Sequence, residues 1–218
     1  GGIINRGKAD ETVLQTGVFS RRGTERIIRY AFELAQQTHQ KLTNVSKANA
    51  LNYSMVFWDS VFSEVAEDYP DVQTETLLVD AASMFFVKDP GRFEVVVTSN
   101  LFGDILTDLG AAIAGGMGIA AGANLNPSRE FPSMFEPIHG SAPDIAGKAI
   151  ANPFATLWTV SQLLDFFGYT EIATIMIDTI EQQIVEAEVL TADMGGSSST
   201  HQVGDHFRLL LEQRLKGI

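Results

Sequence analysis

The segment that most constrains this chain is FEVVVTSNLFGDILTDLGAAIAG, residues 93–115. A compact β-branched run over 93–100 passes directly into an apolar helical repeat over 100–115. Asp104 and Asp108 stand one helical turn apart inside that repeat. Like charges at i,i+4 repel, and burying either one unpaired is costly, so the segment calls for compensation. A second apolar strand, TETLLVD, is predicted to end near Asp80. Carboxylates at the carboxyl ends of strands, facing one crevice, suit a hard divalent cation such as Mg²⁺ or Mn²⁺. The competing reading makes Asp104 a hydrogen-bonding partner of the helix start and leaves Asp108 solvated.

The rest of the chain repeats the alternation of strand and helix, which predicts α/β layers. Residues 1–11 read as a loop or the start of an arm, and TVLQTGVF (12–19) as a strand. Ser20 then stands near the N-cap of a helix whose Ile27, Ile28, Ala31, Phe32 and Ala35 follow the 3.6-residue period. KLTNVSKANAL (41–51) is a short strand running into a loop, and 53–70 a helix stopped by Pro70. Residues 74–90 hold the strand ending near Asp80 and then a short helix. The Gly- and Ala-rich stretch 115–123 reads as a close-packed crossing segment, and 124–153 as a long ordered loop with short strands. Two amphipathic helices cover 155–168 and 169–189. Residues 190–206 are predicted as loop, and HFRLLLEQRLKGI as a closing helix.

Two further features carry chemistry. Lys47, between small residues at a strand-to-loop boundary, is a candidate general acid/base where a cleft lowers its pKa, against the alternative of an ordinary surface lysine. In FEPIHGSAPDIAGKAIANP, the run His139-Gly140-Ser141-Ala142 offers backbone N–H groups with little steric hindrance, suited to a phosphate or adenosine ligand. Asp144 is placed to accept hydrogen bonds from a ribose diol. The G-x-G-x-x-G fingerprint is missing, and a purely structural loop is the alternative. His201 and His206 have no partner at metal-ligand spacing, and His39 reads as a helix-end or exposed residue.

Composition narrows the partners. The formal net charge is −12, which argues against nucleic acid or an anionic membrane. No apolar run reaches the roughly 18–20 residues that span a bilayer, and no signal-peptide pattern is visible. Cysteine is absent, so there is no disulfide framework and no thiolate metal site. A cytoplasmic location is the expectation.

Four stretches, SNLFGDILTDLG, FEPIHGSAPDIAGKAIANP, LTADMGGSSST and Lys47-Ala-Asn49, resemble the β-decarboxylating dehydrogenases of the isocitrate/isopropylmalate dehydrogenase family. The resemblance runs over nearly the whole chain. GANLNPSREFPSMFEPIHGSAPDI, FSRRGTERIIRYAFELA and YSMVFWD look most like its tartrate/D-malate branch, with isopropylmalate dehydrogenase as the runner-up.

The resemblance implies the C-terminal portion of a two-lobed, isopropylmalate dehydrogenase-like α/β fold. Residues 1–113 would form the dimerisation and substrate–metal domain, with TVLQTGVF as an intersubunit arm. Residues 114–218 would form the second half of the cofactor domain, with sheet edges left unpaired. Asp80, Asp104 and Asp108 look like the metal carboxylates, shared across a homodimer, so that Asp80 serves the neighbouring site together with Lys47. Asn49 looks like a nicotinamide-side contact. Glu136, His139, Gly140, Ser141, Ala142, Asp144 and Asn152 look like the cofactor loop, with Asp144-Ile145 in the NAD-preferring pattern.

The implied reaction is oxidative decarboxylation of a small 2-hydroxy dicarboxylate. Lys47 takes the hydroxyl proton as hydride passes to NAD⁺, with Mg²⁺ or Mn²⁺ polarising the nascent carbonyl. Family chains run longer at the amino end, where they carry the arginines that clamp the substrate and a segment resembling RENTEGEYS with the catalytic tyrosine. Neither occurs here, and Tyr30 and Tyr53, in predicted helices, do not match. The expectation is that the 218 residues alone bind metal weakly and turn over poorly. A non-catalytic, dimerising homologue is the alternative of a different class.

Overall fold

A computed structural model describes residues 1–216, so the last two residues of the predicted closing helix lie outside the described residues. The chain divides into two compact units, Gly1–Leu109 and Gly110–Ile218.

The first unit opens with an antiparallel hairpin, β1 (Gly2–Ile4) and β2 (Thr12–Leu14), paired Ile3 to Val13. The predicted strand over 12–19 is therefore shorter than expected, and its partner comes from the stretch expected to be loop. All six paired residues are exposed, among them Ile3, Ile4, Val13 and Leu14.

α1 (Arg21–Thr38) begins where the sequence predicts, with the Ser20 side chain accepting from the Gly23 N–H at 3.2 Å. Its buried stripe is Thr24, Ile28, Ala31, Phe32 and Ala35. It ends on His39, exposed and left-handed at φ 55°.

Three parallel strands follow: β3 (Leu42–Ser46), β4 (Thr74–Leu78) and β5 (Val95–Thr98), in the order β4-β3-β5. They are joined by α2 (Ser54–Ala66) and α3 (Val79–Lys88), and α4 (Asn100–Ile113) leads out of the sheet. One sheet face packs on α1 and α2 through Ile28, Phe32, Leu42, Trp58, Val61, Phe62 and Val97. The other packs on α3 and α4 through Val45, Ala82 and Leu106. β3 is central, and all five of its residues are buried.

α2 does not run to Pro70. It ends at Ala66, and the chain turns so that Tyr69 stacks on Phe32 with ring centroids 5.0 Å apart. Asp80 does not sit at a strand end either. β4 stops at Leu78, and Asp80 lies in the first turn of α3, where the helix dipole favours an acid.

In the second unit, β6 (Ala121–Asn124) pairs antiparallel with β7 (Met134–Pro137), Gly122 opposite Glu136. Three helices complete it: α5 (Phe154–Phe166), α6 (Thr170–Glu186) and α7 (Thr200–Leu215). Phe154, Met176, Ile180, Leu190, Val203 and Phe207 form the core. The crossing segment 115–123 resolves into a 3-10 turn, Met117–Ile119, and most of β6.

α7 starts six residues before the predicted His206. Ser199 accepts from the Gln202 N–H, and the Gln202 side chain accepts from the Ser199 N–H at 2.8 Å. This capping box fixes the start despite the Ser-rich run before it. No helix among the described residues is long and apolar enough to cross a membrane.

Candidate active site

The parallel sheet of the first unit brings its polar termini to one edge. Lys47 follows β3 directly, Asp80 stands two residues beyond β4, and α4 begins just beyond β5. Ser46 is in register with Leu78, so Lys47 and Asp80 emerge side by side. Lys47 Nζ donates to Asp80 Oδ1. That ammonium, helped by a backbone N–H, holds the Asp80 carboxyl below its ordinary value of 3.8. Lys47 is about a quarter exposed and Asp80 about two-thirds, so the pair faces solvent at the sheet edge. Asn49 lies in the turn that follows, where Ala50 and Leu51 donate to the Lys47 carbonyl.

Asp104 and Asp108 lie on the exposed face of α4, and Leu106 between them is buried. Neither carboxylate has a hydrogen bond or ion pair among the described residues. Both are exposed, so solvent and salt screen their repulsion. Among the described residues no three His, Asp or Glu side chains gather to hold a metal, so Asp80, Asp104 and Asp108 do not converge within one chain. The chemistry of the set still fits a hard cation. Two free carboxylates one turn apart match the one or two protein carboxylates that Mg²⁺ accepts beside water and substrate oxygens.

The loop over 139–152, expected to meet the cofactor, helps to build a separate cavity in the second unit, about 820 Å³ in volume. His139, Gly140, Ser141, Ala142 and Asn152 line it, as do Met117, Gly118, Asp193, Thr200 and His201. Eight of its seventeen lining residues are Gly or Ala, which leaves main-chain groups there open to a ligand. Ala142 is left-handed at φ 42°, an unusual conformation for a residue with a Cβ. The volume lies in the range of small-molecule sites. Glu136, on β7, and Asp144, in the 3-10 turn Pro143–Ile145, are exposed and do not line it.

Asn152 does line the cavity, but its side chain is partly committed elsewhere. Its Oδ1 accepts from the Phe154 N–H at 2.9 Å, and its Nδ2 donates to Asp193 Oδ2 at 2.9 Å. These two bonds fix the orientation of the amide and leave one Nδ2 hydrogen and one Oδ1 lone pair for a ligand. Gly118 packs against this pair: a Cβ there would lie 2.7 Å from Asp193 Oδ2 and 3.0 Å from Asn152 Nδ2. Thr200 ties the start of α7 to the loop, its N–H donating to the Ala149 carbonyl and its hydroxyl to the Ala151 carbonyl. Asp193, Thr200 and His201 were not singled out as site residues from the sequence. LTADMGGSSST contains Asp193, but nothing in its spacing reveals that it folds back across about forty residues onto Asn152.

An isocitrate/isopropylmalate dehydrogenase family model matches residues 2–207. A probable tartrate dehydrogenase/decarboxylase of Bacillus subtilis is 47% identical over 205 residues, covering 94% of this chain and 57% of that protein. A D-malate dehydrogenase (decarboxylating) of Escherichia coli is 49% identical, covering 94% of this chain and 58% of that protein. A 3-isopropylmalate dehydrogenase of Thermobifida fusca is 50% identical, covering 94% and 57%. A crystal structure of isocitrate dehydrogenase from Methylococcus capsulatus superposes with a TM-score of 0.84 at 38% identity, covering 95% of this chain and 61% of that one. The chain thus spans a little over half the length of the curated relatives it matches.

Proposed function

Because this chain belongs to the isocitrate/isopropylmalate dehydrogenase family, we propose that its protein catalyses NAD-dependent oxidative decarboxylation of a small 2-hydroxy dicarboxylate of the tartrate/D-malate type. The observation that carries this reading is the Lys47–Asp80 pair at the carboxyl edge of the sheet, beside a helix with two unpartnered carboxylates.

Lys47 is the group assigned to take the hydroxyl proton, as the neutral amine after its own proton has passed to solvent, because its Nζ stands at the sheet edge with Asp80 fixing its direction. Asp104 and Asp108 are assigned to Mg²⁺ or Mn²⁺. Asp80, exposed and turned to solvent, is assigned to complete the neighbouring site in a homodimer. The exposed Ile3, Ile4, Val13 and Leu14 of the β1–β2 arm support that assembly, since apolar side chains on a two-stranded ribbon gain by being covered. Bound at these places, a divalent ion supplies positive charge to the oxygens of the reacting hydroxy acid, and NAD supplies the hydride acceptor. The small residues and main-chain N–H groups of the 139–152 loop are assigned to hold the adenosine, and Asn49 is assigned to the nicotinamide side. Asp144 does not line the cavity but stands between Ala142 and Ile145, which do; assigned to the ribose, it would disfavour a 2′-phosphate and so favour NAD over NADP.

The three relatives differ little in identity, so identity does not choose among their substrates, and 3-isopropylmalate stands as the second reading. The full-length gene product, given NAD and Mn²⁺, is expected to form NADH and CO₂ from D-malate or tartrate faster than from 3-isopropylmalate. Faster turnover of 3-isopropylmalate selects the second reading. NADH without CO₂, or no NADH from any of the three, overturns the assignment.

A further inference from the structure

We propose that Asp59, on α2, is a positioning residue that fixes the main chain from which Lys47 acts. The proposal rests on the assignment of Lys47 above.

β3 reads LTNVS, and Thr43, Asn44 and Ser46 are each fully buried. A central parallel strand covered by helices on both faces is ordinarily apolar throughout, so three buried polar side chains in five need an explanation. Thr43 is answered on its own face by Glu75, with its hydroxyl donating at 3.1 Å. Asn44 and Ser46 share the other face, and both donate to one residue. Asn44 Nδ2 donates to Asp59 Oδ1 at 2.8 Å, and Ser46 Oγ donates to Asp59 Oδ2 at 2.9 Å. Trp58, the neighbour of Asp59 on α2, donates its indole N–H to Asn44 Oδ1 at 2.8 Å.

Asp59 is half-buried and forms no ion pair among the described residues. Apolar side chains would satisfy the packing between α2 and β3 without any desolvated charge. What the carboxylate adds is direction. Its two oxygens grip two successive same-face positions of the strand, the second of which immediately precedes Lys47.

On the other side of Lys47, the Ala50 and Leu51 N–H groups donate to its carbonyl at 3.0 and 2.9 Å. The lysine backbone is thus held between a two-pronged clamp and a tight turn. Strand alternation turns Ser46 toward α2 and Lys47 to the opposite face, toward α3 and Asp80. Loss of the clamp frees the last residues of β3 and with them the origin of the Lys47 side chain. Displacement of a reacting group by about 1 Å costs roughly a hundredfold in rate.

The test compares Asp59→Ala, Asp59→Asn and Ser46→Ala in the full-length gene product, with Lys47→Met as control. Turnover of the preferred hydroxy acid is measured well below each variant's melting temperature, and amide hydrogen exchange is followed over residues 46–49. Asp59→Ala is expected to lower kcat about 10- to 100-fold with KM nearly unchanged, and to speed exchange at 46–49 ahead of the other strands. Asp59→Asn keeps an acceptor for Asn44 and gains a donor for Ser46, and is expected to return kcat to within about fivefold of wild type. Ser46→Ala removes one prong and serves where Asp59→Ala does not fold; it is expected to lower kcat about fivefold. A folded Asp59→Ala or Ser46→Ala with wild-type kcat and exchange overturns the proposal, as does Asp59→Asn with no recovery. Lys47→Met with wild-type turnover instead overturns the Lys47 assignment on which the proposal rests.

Discussion

The two units carry their functional groups in opposite ways. In the first, Asp104 and Asp108 apart, the charged side chains singled out have fixed partners: Lys47 on Asp80, Asp59 on Asn44 and Ser46, Glu75 between Lys41 and Arg92. In the second, glycine and alanine make up about half of the cavity wall. Three of its polar side chains, Asn152, Asp193 and Thr200, bond within the protein and hold the main chain in shape. The first unit should therefore be sensitive to which functional group is present, and the second to how much room is left.

Three substitutions sharpen or break that contrast, ordered by expected effect on turnover. Lys47→Met keeps the aliphatic stem and removes the charge. It is expected to lower kcat about 10³-fold while leaving the melting temperature within a few degrees, as read by steady-state kinetics and calorimetry. A tenfold loss or less would mean that the first unit does not depend on this side chain.

Gly118→Ala adds a single methyl group in the second unit, 2.7 Å from Asp193 Oδ2. Asp193 must shift, which strains its bond to Asn152. The expected result is an NAD KM about tenfold higher with kcat changed less, measured by cofactor titration. An unchanged NAD KM would show that the cavity tolerates crowding, and the contrast would fail there.

Glu75→Gln has the smallest effect on turnover and a clear one on stability. Glu75 Oε1 accepts from Lys41 Nζ at 3.0 Å and Oε2 from Arg92 Nη2 at 2.8 Å. Burial pushes the Glu75 carboxyl up, but the bonds from Lys41, Arg92 and Thr43 outweigh it and hold it below its ordinary value of 4.5. A depressed folded-state pKa means that the ionised form stabilises the fold above about pH 4.5. That contribution is lost as pH falls through the depressed value. Glu75→Gln is expected to cost about 2 kcal/mol at pH 7, and the gap to wild type should close on acidification below 4.5. Urea melts at pH 7 and pH 3 measure both; a gap that widens in acid would reverse the assigned sign.

Local signals in the sequence carried different parts of the fold unequally. α1 was legible from Ser20 and a regular apolar stripe, because cap and period lie within one contiguous segment. α7 carried an equally local signal, Ser199 followed three residues later by Gln202, but the surrounding Ser/Thr run and Gly204 read as loop. The end of α2 was set by an aromatic stack between Tyr69 and Phe32, thirty-seven residues apart in the chain, rather than by Pro70. Lys47 and Asp80 stood out separately as ionisable residues beside apolar strands. Asp59 did not stand out, because an acid on an amphipathic helix reads as solvated until β3 is laid beside it.

The amino-acid sequence alone determined the alternation of strands and helices, the placement of acids and a lysine just beyond strand ends, and the small-residue composition of the cofactor loop. Those follow from periodicity and steric size, which act over a few neighbouring residues. Only the tertiary structure decided that Asp80 meets Lys47, that Asp59 grips Asn44 and Ser46, and that Asn152 is bonded to Asp193. Each of these is a pairing between segments far apart in sequence. Its energy comes from register and packing that no single segment encodes.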